Sequence, residues 1–91
     1  MEERKLKKMP YAQAKVVCLD NGLVILRSYE TNVVYLRPDG WMTIQGLYSA
    51  TTRRHIGAFV EEYAQISYQT AKYLYEKKMK YNVDTGEIAP I

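Results

Sequence analysis

At 91 residues, 47% hydrophobic and 25% charged, the chain has the size and balance of one globular domain. One cysteine, Cys18, excludes an internal disulfide and fits a reducing compartment, most simply the cytoplasm. No apolar run approaches the ~20 residues of a membrane span, and the net charge of +3 admits an acidic partner.

Residues 1–10 (MEERKLKKMP) read as a flexible basic arm, with no apolar segment of the kind a signal peptide carries. Residues 11–91 read as a single α+β domain. In AKVVCLDNGLVIL, Asn21-Gly22 sits between two apolar β-rich runs. Both residues tolerate the positive φ of a type I′ turn, so strands are expected at about Lys15–Leu19 and Leu23–Tyr29. A polar link, Glu30-Thr31, leads into NVVYLR. Pro38-Asp39-Gly40 supplies a second turn, and WMTIQG follows as a fourth strand. Connections this short require antiparallel pairing.

After Gly46 the period changes. Ile56, Phe59, Val60, Tyr63 and Ala64 share one helical face, with Ser49 or Thr51 as N-cap. A second helix is expected at about Ser67–Lys80, with Thr70, Ala71, Leu74 and Tyr75 or Met79 inward. Its lysines Lys77, Lys78 and Lys80 suit a helix C-terminus. The tail carries a turn at Asp84-Thr85-Gly86 and a candidate short strand. The expected fold is a four-stranded antiparallel β-meander with two α-helices packed on one face.

Strand alternation divides the sheet. Val24, Leu26, Val34, Leu36, Met42 and Ile44 form an aliphatic face for the helices. The opposite face takes Arg27, Tyr29, Tyr35, Arg37 and Trp41. Arginines and aromatic rings on an open sheet form a surface on which bases or peptide side chains stack. With nine tyrosines against one Phe and one Trp, the composition also suits a binding surface.

The first helix is unusual. Arg53, Arg54 and the lone His55 occupy its first turns, and Glu61 and Glu62 its far end, all against the macrodipole. One reading is an anion site of free N–H groups, Ser49, Thr51, Thr52, Arg53 and Arg54. Another pairs the arginines with carboxylates such as Glu30 or Asp39, and a third leaves them in solvent. His55, beside Ile56 and Phe59, reads as a packed, hydrogen-bonded residue. No second histidine or spaced cysteine supports a metal site, and no phosphate loop or nucleophile elbow is present. Nothing in the residues calls for a cofactor or argues for an enzyme.

The runs LRSYETNVVYL, GWMTIQGLYSATTRRHIGAFVEEY, YQTAKYLYE and YNVDTGE resemble small uncharacterised proteins of phages, prophages and mobile elements. These share a SYxTxVxYL…YSxTTxRHIxxFxxEY pattern. The resemblance implies accessory genes, among which counter-defence proteins such as anti-CRISPR inhibitors occur. The expected function is non-catalytic binding of nucleic acid or a nucleoprotein complex. The alternative is direct inhibition of a host-defence protein through the same aromatic face. A weaker alternative is assembly into homo-oligomers along sheet edges.

Overall fold

Asn21-Gly22 and Pro38-Asp39-Gly40 each close an antiparallel hairpin. The first joins β2 (Ala14–Cys18) to β3 (Val24–Ser28), the second β4 (Thr31–Leu36) to β5 (Trp41–Ile44). The two turns are built alike. The N–H of Leu19 donates to the carbonyl of Leu23, and that of Gly22 to Leu19; Arg37, Trp41 and Gly40 repeat the pattern. Asn21 Oδ1 accepts from the Leu23 N–H, and Asp39 Oδ1 from the Trp41 N–H. Gly22 and Gly40 take φ of 91° and 93°, whereas Asn21 does not enter the left-handed region. The connections are therefore three-residue loops with glycine in the last position, not the two-residue type I′ turn expected at Asn21-Gly22.

The computed structural model describes residues 1–91 and contains more sheet than the expected four strands. Seven antiparallel strands lie side by side in chain order. β1 (Glu2–Arg4) adds to the outer edge of β2. β6 (Met79–Asn82) pairs with β5, and β7 (Ile88–Pro90) with β6. Between β5 and β6 lie α1 (Ala50–Ala64) and α2 (Tyr68–Glu76). Both edge strands are three residues long, and β7 ends on Pro90, which blunts the edges against further pairing.

The first ten residues are not a free arm. Besides β1, they contribute Leu6, which is completely buried in the core. The end of α1 secures them: the Lys7 N–H donates to Glu62 Oε1 at 2.9 Å, and Lys8 pairs with Glu61. The two acidic residues that oppose the helix dipole thus have internal cationic and N–H partners.

α2 is also shorter than expected. Ser67 caps it, accepting from the Thr70 N–H, and it ends at Glu76. Lys78 then takes a φ of 56°, and the chain enters β6, so Met79 and Lys80 are strand residues. Ala71 and Leu74 face inward as expected, while Tyr75 is exposed.

A continuous core joins the sheet to the helices. It combines Val16, Leu26, Val34, Leu36, Met42 and Ile44 with Ile56, Phe59, Val60 and Ala64. The Phe59 ring stacks on Tyr63 at 4.6 Å. A bulge modifies the alternation: Leu26 pairs with Val34 but Arg27 with Asn32, leaving Val33 as an extra residue. Val33 and Val34 are both fully buried, so Val33 leaves the open face to which simple alternation assigned it.

Candidate functional site

The open face is read from the strand register, since directly paired residues share a side of the sheet. Lys15 lies opposite Arg27, and Arg27 opposite Asn32. The next row runs Glu3, Val17, Ile25, Tyr35, Thr43. Trp41 lies beyond it, paired with Asn82. The register puts Val17 and Ile25 on this face, and both are buried there.

The face has a simple layout. A strip of Val17, Ile25 and Tyr35 crosses its middle, with cations at both ends. At one end Arg27 sits beside Lys15, its Nε donating to Asn32 Oδ1 at 3.2 Å. At the other, Arg37, Asp39, Trp41, Thr43, Lys80 and Ile91 line a depression of about 310 Å³. Lys80 Nζ rests 4.5 Å from the centre of the Trp41 ring, a cation–π contact. The basic residues that form ion pairs are Arg4, Lys8 and Lys15, together with the N-terminal amine; Arg27, Arg37 and Lys80 form none.

Four of the expected face residues, Arg27, Tyr35, Arg37 and Trp41, are therefore brought together. Tyr29 is not among them. It follows Ser28 into the β3–β4 turn with φ of 55°, and its ring lies 5.8 Å from that of His55. This turn carries it round to the helix side. Lys80 was missed because it was assigned to a helix end.

The start of α1 holds a polar network instead of an anion site. Ser49 Oγ accepts from the Thr52 N–H at 3.2 Å, forming the N-cap. Its hydroxyl also donates to Thr52 Oγ1 at 3.2 Å. Thr52 Oγ1 lies 2.9 Å from Ser28 Oγ, which lies 2.8 Å from Nδ1 of His55. Ser28, Thr52 and His55 are all buried. Thr52 thus spends its N–H and hydroxyl internally and cannot share an external anion; Thr51 is half-buried in the same turn. Burial holds the His55 pKa below its ordinary value of 6.5.

Arg53 and Arg54 are exposed and form no ion pair, so pairing with Glu30 or Asp39 does not occur. They line a groove on the helix layer with Gly57, Ala58 and Tyr68. The candidate residues therefore occupy two surfaces, on opposite sides of the sheet.

A model described as a family of unknown function (DUF8033) matches residues 4–77. The chain belongs to this family. The matched region of this DUF8033 member runs from the end of β1 through α2, and includes the open-face residues on β3 to β5 and both arginines of α1. β6 and β7, with Lys80, lie beyond it. No curated protein and no solved structure matches the chain. No group of His, Cys, Asp or Glu is placed to hold a metal ion, and no helix is long and apolar enough to cross a membrane.

Proposed function

We propose that the protein is a non-catalytic binding module of a phage or mobile element, and that its open sheet face binds single-stranded nucleic acid. The observation that supports this is the arrangement of Tyr35 and Trp41 between unpaired cations, Arg27 at one end and Arg37 with Lys80 at the other. Aromatic side chains on a sheet accept bases by stacking, at roughly 1–3 kcal/mol per base. Cations at the two ends of the face meet the phosphates that flank the stacked bases. Such binding is tolerant of sequence, because every base has a π-face.

Salt dependence tests the reading. A fluorescein-labelled oligothymidylate followed by anisotropy should bind with a log–log salt slope of roughly −2, three cations at about −0.7 each for a single strand. Replacing Arg27 and Arg37 with glutamine should reduce that slope by about two-thirds. Absence of binding at low salt, or a slope unchanged by the double substitution, would overturn it.

A second reading is direct inhibition of a host-defence protein or nucleoprotein complex through the same face. The half-buried rings of Tyr35 and Trp41 favour it, since protein interfaces are enriched in aromatic residues within a polar rim. Such an inhibitor has no affinity for free oligonucleotides.

A further inference from the structure

Arg53 and Arg54 leave positive charge unanswered on the layer opposite the open sheet. With Lys8 they border a groove of about 430 Å³ between the N-terminal segment, α1 and the start of α2. Its floor is Met9, Gly57, Ala58 and Tyr68. Glu61 is the one carboxylate on the rim, and it is engaged by Lys8. Neither arginine has a carboxylate partner anywhere in the chain. The first turn of α1 contains no acidic residue to offset them, and the helix dipole adds positive potential there.

The floor distinguishes between anionic partners. A single strand held by base stacking needs exposed ring faces, and here the only ring belongs to half-buried Tyr68. Its Cβ packs so close to Gly57 that an added methyl there would lie 3.3 Å away. Aliphatic and small residues supply the rest, a lining suited to an apolar side chain. We infer that this groove takes a short acidic segment of a partner protein, seating an apolar side chain on Met9, Ala58 and Tyr68 while its carboxylates meet Arg53 and Arg54. Arginine is suited to this role, because its planar fork binds carboxylates in pairs of hydrogen bonds. The site is independent of the nucleic-acid face, from which the sheet separates it, so the protein has two binding surfaces of different chemistry.

The test uses the ¹⁵N-labelled full chain and an octapeptide of alternating glutamate and leucine. The amides of Arg53, Arg54, Gly57, Ala58 and Tyr68 should shift on titration, and those of Tyr35 and Trp41 should not. The same peptide with glutamine for glutamate, or serine for leucine, should bind weakly or not at all. The double variant Arg53→Gln and Arg54→Gln should lose affinity roughly tenfold or more, as expected for charge-assisted contacts. Ala58→Glu, which places a carboxylate in the groove, gives an independent block. No shift at millimolar peptide, equal binding by the glutamine peptide, or affinity untouched by both variants would overturn the inference. So would a larger response of these amides to an oligothymidylate than to the peptide.

Discussion

Ser28 Oγ lies 2.8 Å from Nδ1 of His55, and this contact ties the third strand to the first helix. Through Thr52 the link extends to Ser49, the cap of that helix. Although serine beside histidine is the geometry of an activated nucleophile, Ser28 is only 2% exposed and no carboxylate is bonded to His55. What the network does is position the start of α1 over the sheet. Removing Ser28 leaves buried partners unsatisfied, so Ser28→Ala should cost about 1–3 kcal/mol. Denaturant unfolding measures this; a loss of a few tenths would mean that the network does not hold the helix.

The same histidine makes stability depend on pH. Its folded-state pKa is lowered by burial, so the unfolded chain binds the proton more readily. Its contribution is fully present above about 6.5, the ordinary value, and declines as pH falls toward the lowered folded value. Melting temperature should therefore drop as pH falls below that point. Under the same conditions His55→Gln, which does not titrate, should show a flatter profile through this window. Equal profiles would remove His55 as the cause.

Leu6 makes the N-terminal segment part of the fold. A fully buried leucine exchanged for alanine costs about 2–5 kcal/mol, and Leu6→Ala should fall in that range. Phe59→Ala, at the centre of the core, should cost about 3–5 kcal/mol. Denaturant melts compare the two. A change below about 1 kcal/mol for Leu6 would return the segment to the status of a loose arm.

The two hairpins and the core were legible because their signals are local. Asn-Gly and Pro-Asp-Gly mark turns, and Ile56, Phe59 and Val60 recur at helical spacing. The bulge at Val33 carries no such mark, nor does the left-handed conformation that turns Tyr29 off the face its alternation suggested. The end of α2 was hidden for a similar reason: Lys78 takes the left-handed conformation usually signalled by glycine or asparagine. β1 was illegible because Glu2–Arg4 has no apolar alternation and is a strand only by pairing with β2. Of the candidate site residues, those on regular strand segments fell where alternation put them. Thr52 did not serve as expected, because its partner Ser28 is 24 positions away in the chain.

Exchanging Arg53 and Arg54 for glutamine should leave the fold intact. Both side chains are exposed and unpaired, and their charge opposes the helix dipole. Thermal denaturation of the double variant should show a melting temperature level with the parent or slightly higher. A clear fall would mean that the arginines stabilise the domain in a way that exposure and lack of partners do not account for.

Trp41 is the only tryptophan in the chain, and it stands on the open sheet face beside Lys80. Its fluorescence therefore reports directly on the surface for which nucleic-acid binding is proposed. Titrating the protein with unlabelled oligothymidylate at low salt should quench Trp41 emission saturably. The quenching should be reversed by added salt, and its midpoint should move to higher concentration in the Tyr35→Ala variant. Emission that stays constant through the titration would contradict the account, whether or not the oligonucleotide binds elsewhere on the protein.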